Sequence, residues 1–473
     1  NSFNYSPVFD EEHRIVGFPE MDGIDGSEIN YNALGGTGKS VSKMSSFFAN
    51  ASYSYLDKYI LTGALRYDGS DIIGNDNQFT PLWNVGLRWN LHREEFMKRW
   101  MWVDQFAVRG GFGYTGSIDK NALPFVVMTL GQSVIYDGQT VPTSFSYPNP
   151  NVKWQTKQDM NVGLDLSLFD YRLELGVNYY HNITRDVLDR KALPYSSGRN
   201  EVTENVADIY NNGWEIDLGV TLLKNKSFQW YAKANIAIND NKVKNTYYKE
   251  TKDLPKATLS NAHQFVENQP VNGWYGYKFA GINPINGAVM TYTGNGEATL
   301  DMSVSGATWP TPSVFYLGNL TPPVVGGFST SANWKQLIFS ANFEFKTGHK
   351  IKSFNTFRSL DARNRHTSEA NRWREPGDIT NVPAMSEAFT TYSSYMYDIL
   401  LEKGNYLRCS YMTLGYNLKP EWLHKIGFST ARLSFTAKNL FTISSYSGID
   451  PALMGSFGYP NSRKYTITLN VGF

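Results

Sequence analysis

Residues Ala33-Leu34-Gly35-Gly36-Thr37-Gly38-Lys39-Ser40 come within one residue of the glycine-rich loop that cradles phosphates, with Ala33 where that pattern has its first glycine. Such a loop binds phosphate only when a buried strand leads in and a helix leads out. Ser27-Glu28-Ile29-Asn30-Tyr31-Asn32 is no hydrophobic strand, and an alternating segment follows, so the stretch reads as a flexible loop. Asp68, Asp71, Asn75, Asp76 and Asn77 offer the oxygen ligands calcium takes, but not at EF-hand spacing, and they read as a solvated turn. The seven histidines are scattered, with no HExxH and no His/Cys pair. Cys409 is the only cysteine, so no internal disulfide can form. Nothing here calls for a catalytic residue, a metal site or a cofactor, and the chain reads as a non-enzyme.

Aromatic side chains are the other candidates for chemistry. Trp274, Tyr275, Tyr277, Trp309, Trp373 and Tyr395 fall in long stretches without periodicity, as do Tyr316, Tyr392 and Tyr397. A ring face with a polar tip can stack on a sugar ring or pack against a peptide side chain. The same rings could instead pin loops to one another. The first six are the candidate substrate contacts.

The elements that would position these loops follow a period of two. The final residues show it most plainly: Tyr465, Ile467, Leu469, Val471 and Phe473 alternate with Thr466, Thr468, Asn470 and Gly472. That spacing gives a β-strand with one apolar and one polar face. The pattern recurs at Phe47–Tyr55, Leu61–Tyr67, Trp83–Trp89, Phe106–Tyr114, Met160–Leu168, Leu173–Tyr179, Trp214–Leu222, Trp230–Ile238, Phe328–Trp334, Leu337–Phe345, Met412–Leu418 and Leu433–Ala437. The sequence thus predicts an all-β protein of about thirteen strands. A short helical turn is expected over 91–101, and an irregular stretch over 240–323.

With 44 basic and 43 acidic residues, the net charge of +1 argues against a nucleic-acid surface. No stretch approaches the ~20 apolar residues of a membrane helix, but a spanning strand needs only about 9–11 residues, half of them apolar. The polar face carries full charges within strands, at Arg66, Arg88, Arg109, Arg172, Glu174, Glu215, Asp217 and Lys233. Those charges must see water. Either the apolar face is the core of a soluble sandwich, or it meets lipid while the polar face lines a lumen. Connections alternate short and long, and Trp and Tyr cluster towards strand ends, as in outer-membrane barrels. This favours a transmembrane antiparallel β-barrel over a β-sandwich, propeller or adhesin array. Bacterial single-chain barrels use even numbers of strands. An odd count is therefore expected to mean the C-terminal part of a larger barrel, entered within an external loop at residues 1–44 and continuing through 45–473. The start of the chain shows no signal-peptide pattern.

A set of short motifs in fixed order resembles the SusC/RagA-type TonB-dependent transporters of the Bacteroidetes outer membrane. Asn439-Leu440-Phe441, Tyr446-Ser447-Gly448-Ile449-Asp450-Pro451, Gly458-Tyr459-Pro460 and Arg463 resemble the family's C-terminal signature. Tyr406-Leu407-Arg408, Leu414-Gly415-Tyr416, Arg372-Trp373 with Pro376-Gly377-Asp378-Ile379-Thr380, and Tyr275-Gly276-Tyr277-Lys278 resemble further segments. So do Arg66-Tyr67-Asp68-Gly69-Ser70 and Asn149-Pro150-Asn151-Val152-Lys153-Trp154. The resemblance implies a plugged barrel of 22 strands, about nine of them beyond those read here. It also implies active import of a glycan or oligopeptide, and a SusD-like lipoprotein lid as partner. The N-terminal half of the barrel with its plug, and the TonB complex acting through that half, are implied as well. Outer-membrane lipid is then the surrounding solvent.

Overall fold

The computed structural model describes residues 43–71, 73, 78–118, 153–192, 196, 201–251, 254, 265–300, 313–352, 370–384, 396–423, 427–454 and 458–473, with short strands at 8–9, 15–17, 128–136 and 139–145. The chain divides into two compact units, Asn1–Met44 and Ser45–Phe473. In the first, Val8–Phe9 pairs antiparallel with Ile15–Gly17 where only loop was expected. The phosphate-loop-like stretch lies outside the described residues.

The second unit is built on one sheet of thirteen strands. In chain order they are β1 (Met44–Tyr55), β2 (Tyr59–Ser70), β3 (Phe79–Asn90), β4 (Val103–Ser117), β5 (Gln155–Leu168), β6 (Leu173–Ala192) and β7 (Glu201–Lys224). They continue as β8 (Phe228–Lys244), β9 (Val324–Trp334), β10 (Leu337–Thr347), β11 (Tyr406–Asn417), β12 (Thr430–Ser444) and β13 (Lys464–Gly472). Each strand lies beside its neighbours in sequence, so the sheet is an up-and-down meander whose outermost members are β1 and β13. All thirteen alternating segments of the sequence became strands. Several run further than their hydrophobic pattern: β6 has 20 residues and β7 has 24.

Tight connections join the strands at one end. Leu56 and Asp57 both have positive φ, and the Lys58 N–H donates to Tyr55 O at 3.0 Å, which is the geometry of a two-residue hairpin turn. Phe169, Asp170 and Tyr171 turn β5 into β6 in the same left-handed region. Arg172 belongs to this turn rather than to a strand interior; its N–H donates to Leu168 O at 2.9 Å. The helical turn expected over 91–101 is present as two 3-10 segments, Leu91–Arg93 and Glu95–Arg99. Glu94 between them accepts from Tyr59 Oη at 2.7 Å, Lys58 Nζ at 2.9 Å and Trp89 Nε1 at 3.1 Å. Those donors, Tyr59 first, hold its carboxyl at about 2, far below the usual carboxylate range.

The apolar face of the sheet has no cover. Leu61, Leu65, Val85, Leu87, Val162, Leu218, Phe328, Leu433, Ile467 and Leu469 are all exposed on it. On β8 the apolar run extends from Trp230 to Ile238 and stops at Asp240. That is about 26 Å of strand at roughly 3.3 Å per residue, or about 20 Å of membrane at a tilt near 40°. Stacked or tilted ring pairs border the band at the end of the long connections: Tyr67 with Phe79 at 5.3 Å, Trp83 with Tyr114 at 5.5 Å and Tyr179 with Trp214 at 4.9 Å. Tyr59 with Trp89 at 6.1 Å and Trp102 with Phe169 at 5.7 Å border it at the tight-turn end. No facing sheet buries these residues among those described, and no helix is long and apolar enough to cross a membrane.

Candidate transport surface

The polar face holds the charged side chains in short chains of contact. Arg88 on β3 stands directly opposite Arg109 on β4. Two like charges so placed would repel. Asp165 on β5 serves both: Arg88 Nη1 donates to its Oδ2 at 2.7 Å, and Arg109 Nε to its Oδ1 at 3.4 Å. Arg109 lies flat over Gly163, where a Cβ would come 2.8 Å from its Cζ. These groups are roughly one-third exposed, and such pairs contribute at most about 1 kcal/mol each. Their effect is to keep a mixed-charge wall wet. Arg66 Nε donates to Asp68 Oδ1 at 2.6 Å, and Asn178 Nδ2 to Glu215 Oε2 at 3.1 Å. Glu174 and the hydroxyl of Tyr231 meet over Gly219, where a Cβ would lie 3.1 Å and 2.6 Å from them. Asp217 and Lys233 share the same shallow recess. Of the eight predicted charges, all but Arg172 therefore sit on strands of the wet face.

The stretch after β8, expected to be irregular, contains short strands among its described residues. Gly273–Gly276 pairs with Phe315–Asn319, and Phe279–Ile282, Val289–Tyr292 and Ala298–Leu300 form a three-stranded sheet. Around them lies a hydrophobic core that includes Val266, Trp274, Tyr275, Tyr277, Met396 and Tyr397. Trp274, Tyr275 and Tyr277 are 4%, 0% and 3% exposed, so they are core residues and offer no ring face to a solute. Trp274 Nε1 donates to Lys350 O at 3.0 Å, and the Tyr277 N–H to Met396 O at 2.8 Å, tying separate excursions of the chain together. Burial and the neighbouring Tyr316 push the Tyr275 hydroxyl well above its ordinary range. Trp373 is half-buried; its Nε1 donates to Pro284 O at 3.1 Å, and its ring leaves no room for a Cβ at Gly287. Trp309 and Tyr395 lie outside the described residues. Trp274 and Tyr275 lie on the strand Gly273–Gly276 and Tyr277 just past it, and all three are buried by segments far along the chain, which a period of two does not reveal.

Other motifs prove to be structural. Asp378 Oδ2 accepts from the N–H groups of Arg374 at 2.8 Å and Glu375 at 3.2 Å, closing the turn in which Gly377 has φ +105°. Arg408 and Asp450 form a buried ion pair. Asp68 is held by Arg66, while Asn75, Asp76 and Asn77 of the acidic turn lie outside the described residues.

A wide antiparallel meander with a bare apolar band, aromatic borders and a charged polar face is the build of an outer-membrane β-barrel wall. The chain belongs to the family described as "TonB dependent receptor-like, beta-barrel", whose model matches residues 3–344. That family is one of outer-membrane transport proteins rather than enzymes. TonB-dependent receptor P3 of Formosa agariphila is 29% identical over 465 residues, taking in 90% of this chain and 45% of that protein. TonB-dependent receptor SusC of Bacteroides thetaiotaomicron is 23% identical over 453 residues, with 90% and 43% covered. The structure of the RagAB peptide importer in its open-open state matches 93% of this chain and 49% of that one, at 26% identity and a TM-score of 0.73. The chain thus spans about half the length of the curated relatives it matches.

Proposed function

We propose that this chain is the C-terminal wall of a TonB-dependent importer that carries a bulky polar nutrient, a glycan or an oligopeptide, across the outer membrane. The observation that carries the reading is the pairing of an uncovered apolar face with an inner face bearing Arg88, Arg109, Asp165, Glu174, Glu215, Asp217 and Lys233. A soluble sandwich or adhesin would bury the first face. In this reading β1 and β13 are completed by further strands of a 22-strand barrel, since an open edge of this length recruits other chains. The plug and the TonB-contacting segment belong to that remainder, residues 1–44 to an outer loop, and a SusD-like lipoprotein covers the loop core. The test is extraction and uptake. The intact protein should partition with outer membranes, need detergent to stay dispersed, and change gel mobility on heating. Cells lacking it should lose uptake of its nutrient. A protein that is soluble without detergent overturns the reading.

A further inference from the structure

On the wet face of β5–β8, level with the ring pair Tyr179–Trp214, the wall forms an open recess of about 680 Å³ whose lining side chains are all polar. Its floor is Tyr180. The residues across from Tyr180 are Asn161 on one side and Gly213 on the other, and Asn239 stands beyond Gly213. The missing side chain at Gly213 lets the ring reach across the sheet: a Cβ there would come within 2.2 Å of the Tyr180 hydroxyl. Tyr180 Oη donates to Asn239 Oδ1 at 2.9 Å, which fixes the ring along the wall. One row inward Asn178 stands beside Glu215, and one row outward Asn211 accepts from Asn241 Nδ2 at 2.7 Å. The shielded Oδ1 of Asn178 has no hydrogen-bond partner. An aromatic ring is therefore framed by amides on neighbouring strands about 4.8 Å apart and on rows about 6.7 Å apart.

We propose that this recess is a binding subsite for a neutral saccharide, a reading that rests on the importer function above and names its substrate class. Each amide supplies both donors and an acceptor, which matches the hydroxyl groups around the edge of a pyranose ring. The Tyr180 ring supplies the flat apolar surface that the C–H face of a sugar packs on. A peptide would instead need apolar pockets for its side chains, and the recess has none. Its charges, Lys157, Asp159 and Glu215, are of both signs, so no strongly ionic ligand is selected.

The experiment is titration calorimetry on the intact, detergent-purified protein, with malto-, cello- and xylohexaose as saccharide probes and an uncharged Gly/Ser hexapeptide as the other arm. At least one hexaose should bind, and Asn161→Ala and Asn211→Ala should each weaken it about tenfold, the scale of one lost hydrogen bond. Tyr180→Phe keeps the ring and should weaken binding less than Tyr180→Leu. Heat-modifiable gel mobility of each variant shows that the barrel still folds. No binding by any hexaose, unchanged binding in the asparagine variants, or binding by the peptide alone overturns the subsite. If the wild-type protein remains outer-membrane-located and required for uptake, that failure leaves the importer function standing; loss of those properties refutes the importer function itself.

Discussion

The guanidinium of Arg408 on β11 is buried against the carboxylate of Asp450, 42 residues further along the chain. Arg408 is 4% exposed and Asp450 7%. Arg408 Nε also donates to Thr442 Oγ1 at 3.0 Å, and its charge sits 5.2 Å from the Tyr406 ring. Asp450 accepts from the Ala452 N–H at 2.9 Å and so caps the short turn Pro451–Leu453. Two motifs that look independent in the sequence are thus one structural joint, tying the connection after β12 to β11.

Breaking that joint strands a buried charge. Asp450→Ala or Arg408→Ala should each cost about 3–5 kcal/mol, read as a lower temperature for the heat-induced gel shift in detergent. Replacing both partners at once, Arg408→Met with Asp450→Leu, should cost less than either single change.

The two faces of the sheet predict opposite responses to the same charge. Leu218→Arg, in the apolar band of β7, should destabilise the folded protein by about 2–4 kcal/mol. Asn235→Arg, on the wet face of β8, should shift stability by less than about 1 kcal/mol. Equal effects at both positions would refute the assignment of faces.

Within the loop core, Gly276 has no room for a side chain. A Cβ there would fall 2.4 Å from Met396 O, a backbone atom that also accepts the Tyr277 N–H. Gly276→Ala should separate these segments and expose 265–282 to limited proteolysis, while the barrel's heat-induced gel shift stays near its original temperature. Protection equal to the unaltered protein would show that the core is not held there.

His349 gives the loop base a pH dependence. It is 3% exposed, and a Cβ on Gly404 would come 2.4 Å from its Nε2. Burial, then the nearby Lys346, lowers its pKa from the ordinary 6.5. The neutral ring is favoured in the fold, so its contribution is complete above about pH 6.5 and is lost as pH falls from there through the folded value. Hydrogen exchange around 347–352 and 401–405 should accelerate between pH 7 and pH 5 beyond the intrinsic trend. His349→Gln should flatten that dependence.

The wall was legible because a strand in contact with lipid on one side and water on the other repeats every two residues, whatever its neighbours are. Leu218 and Asp217 declare their faces without any knowledge of the partner strand. The loop core was not legible for the converse reason. Trp274, Tyr275 and Tyr277 are buried by residues as distant as Met396 and Tyr397, and no local pattern marks such long-range packing. Tyr180 was hidden differently. It follows Tyr179 directly, and the sequence pattern ends on that lipid-facing ring, although the strand runs on to Ala192. The usable signal was the run of asparagines at polar parity, Asn161, Asn178, Asn211 and Asn239, which four paired strands bring together.

Because each wall strand hydrogen-bonds only to those adjacent to it in the chain, the segment between any two of them can be exchanged without disturbing another pairing. The connections can thus change while the sheet keeps its register, but the excursions joined through Trp274, Tyr277 and Met396 must change together. Variation outside the sheet then needs no new architecture.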